Sequence, residues 1–308
     1  MRSKNILGAI LANCPVIKAN SQGNDFLIFN LLSHANNIAS IVESISQQAI
    51  LLCDRKFGLG CDQIVVLSPH PTHNANIAFL NSDGTLSAAC GNGTRCAAGY
   101  LLELNPTQHK IIFQAGERQI VCKSSTAVDD FVEVEMGAVK AINNKQDVDF
   151  VHQICRQNNL PVVDVFLGDI GNPHCIIHIE QDVENLFAFE PEKITKIGKI
   201  IENATEHFPA KINVEFCNIL PNGDVFFIVW ERGAGITLSC GTGACVVGFY
   251  AMQKNAKNAV KVITQGAKIE AKYNNLPPQK IGFHITRSRP NLITMHARYT
   301  LVAQIGAV

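Results

Sequence analysis

Two cysteines of this sequence, Cys90 and Cys240, lie in matching surroundings about 150 residues apart. Each is followed by a glycine, a polar residue and a second glycine, in the segments Gly91-Asn92-Gly93 and Gly241-Thr242-Gly243. Each also lies nine positions after a polar residue that ends an apolar run, Asn81 or Glu231. A thiol has a reference pKa of about 8.5, and a helix N-terminus favours the thiolate. The pattern therefore predicts two reactive thiols, each at the start of a helix.

The chemistry that suits such a pair is the inversion of a stereocentre. A duplicated unit indicates two similar halves that face each other, which would bring both thiols to one pocket. One thiolate would remove a proton from one face of a carbon, and the other thiol would deliver a proton to the opposite face. The glycines leave backbone N–H groups open to a carboxylate. A single Cys-Gly-x-Gly is most often structural, whereas two copies with equal offsets favour catalysis. We expect the other nine cysteines, Cys96 and Cys245 among them, to be core residues.

Five amide side chains stand at the edges of apolar runs: Asn24, Gln63, Asn81, Asn172 and Asn213. Each alone is most often a cap or turn residue, but together they would suit a zwitterionic amino acid. Glu231 would accept an ammonium group, and Arg232 would clamp a second carboxylate. His174 would tune a nearby thiol or hold a substrate.

Two kinds of element must position these side chains. The amides lie at the ends of predicted strands, and each cysteine lies at the start of a predicted helix. Apolar spacing predicts helices near residues 36–52, 92–104, 148–157, 192–204 and 243–254. Most of the remaining apolar runs read as strands, and the last of these include Ala267 to Tyr273. A polar stretch from Gly137 to Asp147 marks a domain boundary. The fold class is α+β, with many strands and few long helices.

Composition excludes several classes of protein. The chain of 308 residues has 26 basic and 26 acidic residues, so nucleic acid and anionic membranes are not expected partners. Neither a run of about 20 apolar residues nor a Cys-x-x-Cys pair occurs, which argues against a membrane helix and a structural zinc site. No metal, nicotinamide or pyridoxal signature is present. Eleven cysteines, most of them in apolar contexts, indicate a reducing cytoplasm.

The sequence resembles the diaminopimelate epimerase family, whose members work without pyridoxal phosphate. The matching motifs follow the family's order along nearly the whole chain: Gly23-Asn24-Asp25-Phe26, Cys53-Asp54-Arg55, Gly58-Leu59-Gly60-Cys61-Asp62-Gln63, Asn81-Ser82-Asp83-Gly84, Cys90-Gly91-Asn92-Gly93-Thr94-Arg95-Cys96, Gly171-Asn172-Pro173-His174, Asn213-Val214-Glu215-Phe216, Glu231-Arg232-Gly233-Ala234-Gly235 and Cys240-Gly241-Thr242-Gly243-Ala244-Cys245.

The resemblance implies a fold and an assembly. We expect two pseudo-symmetric domains, each a mixed or antiparallel sheet wrapped around a central helix. The first would cover residues 1–140, with the strand at 292–308 returning to it, and the second residues 141–291. The active site would lie in the cleft between them, and the protein would be a homodimer without a cofactor.

The resemblance also implies roles for individual residues in interconverting LL- and meso-2,6-diaminopimelate, a step of lysine and peptidoglycan precursor biosynthesis. Cys90 and Cys240 would be the acid/base pair, and His174 and Glu231 would adjust the acidity of the thiols. Substrate contacts would come from the side chains of Asn24, Gln63, Asn81, Asn172, Asn213, Glu231 and Arg232, and from the backbone of Gly91, Asn92, Gly241 and Thr242.

Two departures from the family pattern leave alternatives open. Ile236 stands where an acidic residue is usual, and Asn20-Ser21 replaces the usual His-Gly. A racemase of another amino acid on the same scaffold is one alternative, although Arg232 argues against it by offering a site for a distal carboxylate. A catalytically silent amino-acid-binding or thiol-redox protein is a more remote one.

Overall fold

The computed structural model describes residues 14–34, 36–87, 90–125, 130–277, 281–289 and 291–305. The chain forms two compact units, of which the first comprises Met1–Glu135 and Ala297–Val308, and the second Met136–His296. The end of the chain thus belongs to the unit that its beginning forms. None of the helices in the described ranges is long and apolar enough to cross a membrane.

The strands of the described residues are, in chain order, β1 Val16–Ser21, β2 Asn24–Asn30, β3 Gln63–Ser68, β4 Ala75–Asn81, β5 Leu86–Ser87, β6 Lys110–Ala115, β7 Arg118–Ser124, β8 Phe131–Ala138, β9 Lys140–Ala141, β10 Val162–Asp169, β11 Pro173–Ile179, β12 Asn213–Ile219, β13 Val225–Glu231, β14 Gly235–Thr237, β15 Ala259–Ile263, β16 Phe283–Arg289, β17 Leu292–Arg298 and β18 Thr300–Ile305. The helices are α1 Ile38–Gln47, α2 Ala49–Cys53, α3 Gly91–Leu104, α4 Lys145–Gln157, α5 Val183–Phe189, α6 Pro191–Glu202, α7 Gly241–Lys254 and α8 Gln265–Asn274.

The first unit is a mixed sheet around α3. Strand β1 pairs antiparallel with β18 and β2, β2 pairs parallel with β3, and β3 pairs antiparallel with β4. Strand β4 then pairs parallel with β6, and β6, β7 and β8 continue antiparallel. Helix α3 is buried on all sides from Asn92 to Leu102, as expected of a helix inside a curved sheet. A second apolar cluster joins Ile45, Ala49 and Leu52 of α1 and α2 to the sheet.

The second unit repeats this pairing around α7. Strand β10 pairs antiparallel with β9 and β11, β11 pairs parallel with β12, and β12 pairs antiparallel with β13. Strand β13 then pairs parallel with β15, and β15, β16 and β17 continue antiparallel. Helix α7 is buried from Gly243 to Met252, and α4, α5 and α6 pack in a separate apolar cluster. The predicted α+β fold, two similar sheets that each surround one helix, is confirmed.

One predicted strand is wrong, because Ala267 to Tyr273 is part of the helix α8. Thr264 caps this helix by accepting a hydrogen bond from the Ala267 amide at 3.1 Å. The buried positions are 266, 267, 270 and 271, which is helical spacing. Ile269 and Tyr273 are 42% and 85% exposed, so the apolar residues that suggested a strand do not share a buried face.

Candidate active site

The first cysteine caps the N-terminus of α3. The Cys90 thiol accepts a hydrogen bond from the Gly93 amide at 3.3 Å, and the Cys90 carbonyl accepts one from the Thr94 amide at 2.8 Å. The first amides of a helix have no partner inside the helix, and those of α3 belong to Gly91 and Asn92. An anion at this helix end would therefore lie beside the sulfur.

Two hydrogen bonds join predicted polar residues of the first unit, and one of them reaches the start of α3. Gln63 and Asn81 are opposite each other on β3 and β4, and the Gln63 side chain donates to the Asn81 oxygen at 3.1 Å. At the start of β2, the Asn24 oxygen accepts a hydrogen bond from the Asn92 amide group at 2.8 Å. We call the group Asn24, Gln63, Asn81, Cys90, Gly91 and Asn92 the first half-site.

Two charged residues that support the first half-site had no predicted role. Asp62 accepts hydrogen bonds from the Asn24 side chain at 3.3 Å and from the Asp25 amide at 3.1 Å. Arg95 is fully buried on α3 and donates to the Asn92 oxygen at 3.0 Å. Both residues stand inside the quoted motifs, and a charge inside a predicted central helix is the signal that would have identified Arg95.

Asp25 anchors the loop that carries Asp62. It forms hydrogen-bonded ion pairs with Arg55 at 2.8 Å and with Lys18 at 2.5 Å. Burial acts to raise the pKa of Asp25, but the hydrogen bonds from Arg55 and Lys18 outweigh it and lower the pKa to about 2. At neutral pH Asp25 is therefore ionised, and its ion pairs with Arg55 and Lys18 hold the loop before β3 in place.

The second cysteine caps α7 in the same way. The Cys240 thiol accepts a hydrogen bond from the Gly243 amide at 3.4 Å, and its carbonyl accepts one from the Ala244 amide at 2.9 Å. The Thr242 hydroxyl lies 3.4 Å from the sulfur. Cys240 is buried, whereas Cys90 is only partly buried.

Predicted polar residues of the second unit surround the start of α7. The Asn172 side chain donates to the Thr242 hydroxyl at 3.3 Å. Asn213 accepts a hydrogen bond from the Arg232 amide and donates to the Pro173 carbonyl, both at 3.0 Å. Its side chain thus holds two backbone segments of the site in place. We call the group Asn172, His174, Asn213, Glu231, Arg232, Cys240, Gly241 and Thr242 the second half-site.

The two charged side chains of β13 and its turn differ in their surroundings. Glu231 accepts a hydrogen bond from the Thr237 hydroxyl. Burial raises the pKa of Glu231, and the nearby Glu215 adds to this effect. Arg232 is tied to the Ala210 carbonyl at 2.6 Å by one nitrogen of its guanidinium. Because a guanidinium carries five N–H donors, donors of Arg232 remain for a carboxylate.

His174 and Glu215 form a buried pair in the second unit. The His174 Nδ1 and Glu215 Oε1 atoms are 2.6 Å apart, and both residues are 0% exposed. His174 was a predicted site residue, whereas Glu215 was not given a role. The signal for Glu215 was a carboxylate inside the apolar strand Asn213-Val214-Glu215-Phe216, which is buried throughout.

The expected lowering of the thiol pKa by the helix N-terminus does not decide the acidity of Cys240. Burial raises the pKa of Cys240 well above its ordinary value, and the carboxylates of Glu231 and Glu215 raise it further. The hydrogen bonds from Thr242 and the Gly243 amide act in the opposite direction but are outweighed. Cys240 therefore carries its proton at neutral pH.

Two further observations concern Ile236 and the question of a metal site. Ile236, on β14, packs against the apolar cluster of the second unit. Within the described ranges no group of three or more His, Cys, Asp or Glu side chains is arranged to hold a metal ion.

Comparison with known proteins links both half-sites to one family. The model of the diaminopimelate epimerase family matches residues 16–142 and 166–280. The diaminopimelate epimerase of Pelagibacter ubique is 34% identical over 263 residues, which cover 80% of this chain and 85% of that protein. The diaminopimelate epimerase of Elusimicrobium minutum is 32% identical over 235 residues, which cover 74% of this chain and 80% of that protein.

Solved structures show the same fold at low sequence identity. A phenazine biosynthesis protein of the PhzF family from Bacillus anthracis has a TM-score of 0.68 and 13% identity, and the alignment covers 96% of this chain and 99% of that one. The fold is thus common to proteins of different sequence, while the family match rests on the sequence itself. This chain belongs to the diaminopimelate epimerase family.

Proposed function

We propose that this protein is an epimerase that interconverts LL- and meso-2,6-diaminopimelate by two-base proton transfer at the α-carbon. The observation that carries the proposal is the family match, whose two segments contain both half-sites and both cysteine-capped helices. The relatives matched are named as epimerases of this substrate, at 32% and 34% identity over most of both chains.

In this mechanism Cys90 and Cys240 act on opposite faces of the same carbon. One sulfur is a thiolate that removes the α-proton, and the other is a thiol that donates a proton, so the configuration inverts. The two roles exchange in the reverse reaction. Proton transfer by a positioned group contributes typically about 10²- to 10⁴-fold. Because the pKa of Cys240 is raised, we propose that Cys240 is the proton donor in the form of the enzyme that first meets the substrate.

The ammonium group of the substrate would change the charge around Cys240. The carboxylate of Glu231 is one cause of the raised Cys240 pKa. An ammonium group bound by Glu231 would offset that negative charge and make the thiolate of Cys240 easier to form. Substrate binding would in this way allow Cys240 to serve as the base in the reverse direction.

The helix ends would bind the α-carboxylate and stabilise the charge that develops on it. The amides of Gly91 and Asn92 at α3, and of Gly241 and Thr242 at α7, are the donors for this role. Such preorganised donors contribute most when water is excluded. Asn24, Gln63, Asn81, Asn172 and Asn213 would orient the substrate, and Arg232 would bind the distal carboxylate through the N–H donors that Ala210 does not use.

The test is an assay of α-proton exchange in deuterated water with a panel of amino acids. We expect diaminopimelate to exchange and epimerise far faster than proline, glutamate or lysine. Faster exchange of another amino acid would assign the protein to a different racemase of this fold. Binding of diaminopimelate without any exchange would identify a binding protein and contradict the proposal.

We also propose that the protein works in the cytoplasm as a homodimer. The cytoplasm is supported by the cysteines, since ten of the eleven are buried and this use of cysteine as a small core residue fits a reducing compartment. The dimer is supported by the family to which the chain belongs. Light scattering coupled to gel filtration would measure the mass, and a particle of a single chain would contradict the second part.

A further inference from the structure

The repeated strand pairing allows residues of the two units to be matched position by position. In the first unit, Phe26 of β2 lies opposite the first residue of β3. In the second unit, His174 of β11 lies opposite the first residue of β12. Val65 and Glu215 are each the third residue of β3 and β12. Phe26 and Val65 of the first unit therefore correspond to His174 and Glu215 of the second.

The second glycine after each cysteine, Gly93 or Gly243, supports this match. A Cβ atom on Gly93 would lie 3.2 Å from the Val65 side chain and 3.3 Å from the Phe26 ring. A Cβ atom on Gly243 would lie 2.6 Å from the Glu215 Oε1 atom. Both glycines donate their amide to the cysteine sulfur. The same turn thus packs on an apolar pair in one unit and on a carboxylate in the other.

The packing of this turn does not require a polar pair. Val65 and Phe26 are 0% and 1% exposed, so an apolar pair fills the equivalent space completely. A buried ion pair is often no more stabilising than well-packed apolar residues of similar volume. Within the described residues, the Glu215 Oε2 and His174 Nε2 atoms are buried without a hydrogen-bond partner, which adds a cost. A pair with these costs is explained by a role in the chemistry of the second half-site.

Glu215 also faces the groups that titrate in this half-site. Its negative charge raises the pKa of Cys240 and of Glu231, while His174 lowers the pKa of Glu231. Desolvation raises the pKa of Glu215 itself, and His174 opposes that shift. The other titratable groups on which Glu215 acts are the buried thiols of Cys175 on β11 and Cys217 on β12.

We propose that Glu215 is a positioning residue of the second half-site, which holds the Nδ1 proton of His174 and thereby fixes the tautomer and the orientation of the imidazole. With its proton on Nδ1, a neutral imidazole presents Nε2 as an acceptor. The pair also sets the negative charge near Cys240. This inference rests on the proposed function, because it assigns Glu215 to the proton transfer through Cys240.

The first test is the variant Glu215→Gln, which keeps the shape and a carbonyl oxygen for the Nδ1 proton but removes the charge. We expect kcat to fall by about 10- to 100-fold, by analogy with the loss when the carboxylate that orients a metal-bound histidine is replaced. Because Glu215 raises the pKa of Cys240, the pH at which iodoacetamide labels Cys240 should move downward. The limb of the pH profile of kcat/KM that reports Cys240 should move in the same direction.

The matched control is Asp147→Asn, which alters a partly buried histidine–carboxylate pair of the same unit. Asp147 Oδ1 lies 2.8 Å from His207 Nδ1. We expect this control to keep the wild-type pH profile, even if its melting temperature falls. A Glu215→Gln variant with the wild-type pH profile and labelling curve would overturn the inference, whatever its rate.

The second test copies the apolar pair of the first unit into the second, as His174→Phe with Glu215→Val. If the pair serves packing alone, this double variant should keep most of the wild-type kcat, and that result would overturn the inference. We expect a melting temperature higher than that of His174→Phe alone, which leaves Glu215 buried without its partner, together with a kcat reduced at least as much as in Glu215→Gln. Cys240→Ala separates the two proposals, because an active Cys240→Ala variant would reject the proposed function itself.

Discussion

The two half-sites have the same backbone but different charges. In each, a cysteine caps a buried helix and a glycine amide contacts the sulfur, at 3.3 Å for Cys90 and 3.4 Å for Cys240. The first half-site carries the neutral amides of Asn24, Gln63, Asn81 and Asn92, and its glycine turn packs on the apolar pair Phe26 and Val65. The second has two carboxylates and an imidazole nearby. Duplication has thus retained what the backbone supplies, while the side chains have diverged.

A helix N-terminus alone therefore does not fix the pKa of a thiol. The cap geometry favours a thiolate at both positions, yet burial and the carboxylates raise the pKa of Cys240. An enzyme that works in both directions needs one thiol and one thiolate at the same time, and these titrate as a coupled pair. Unequal surroundings are one way to assign the proton before substrate binds.

The largest expected effect comes from removing either sulfur. Cys90→Ala and Cys240→Ala should each reduce the rate of epimerisation by at least about 10³-fold, because each removes one partner of the proton transfer. The measurement is the conversion of the LL to the meso isomer by chiral chromatography. The matched controls are Cys96→Ala and Cys245→Ala, which alter cysteines buried inside the same helices. Equal loss in a control and its catalytic counterpart would attribute the effect to folding.

A second test asks whether both sulfurs reach one site. If Cys90 and Cys240 act on one carbon, mild oxidation should join them as a disulfide and abolish activity, and dithiothreitol should restore it. Peptide mapping by mass spectrometry identifies the linked pair. Cys53 and Cys61 also have sulfur atoms 3.3 Å apart, so the experiment is repeated with Cys61→Ala. Full activity in protein with a proven Cys90–Cys240 link would contradict the mechanism.

The variant Glu231→Gln sharpens the contrast in charge. Because the Glu231 carboxylate raises the pKa of Cys240, its removal should shift the labelling of Cys240 by iodoacetamide to lower pH. The labelling curve of Cys90 should move less than that of Cys240, because Glu231 belongs to the second half-site. We also expect a higher KM, because the ammonium partner is lost. An unchanged Cys240 curve would show that Glu231 does not act on the thiol.

The smallest expected effect concerns the support of the first half-site. Asp62→Ala removes the acceptor of the Asn24 side chain, and one hydrogen bond contributes about 0.5 to 1.5 kcal/mol. We therefore expect KM to rise by about 2- to 10-fold with little change in kcat. Steady-state kinetics measure both constants. Asp83→Ala is a suitable control, because Asp83 is exposed and accepts local hydrogen bonds from Thr85. A loss confined to kcat would contradict a role in binding.

Much of the fold could be predicted because the sequence repeats itself. The spacing of Cys90 and Cys240 from their preceding strands identified both central helices. The polar residues at strand ends are the candidates that each half-site groups together, and their contacts with substrate stay predictions. The strand predicted at Ala267 to Tyr273 failed because short apolar runs do not distinguish a strand from a helix. Glu215 was missed because its role depends on a partner 41 positions away, His174, which only the parallel pairing of β11 and β12 brings next to it.

The measurement that tests the two-thiol mechanism most directly is the position of deuterium after brief reaction in deuterated water. Starting from the LL isomer at low conversion, a two-base enzyme should yield meso product that carries deuterium at the inverted carbon, while recovered LL substrate remains protiated. Each thiol exchanges with solvent before substrate binds, so the donor delivers deuterium only to the product face. Deuterium appearing equally in recovered substrate and in product would indicate a single base, and it would contradict the two-thiol mechanism.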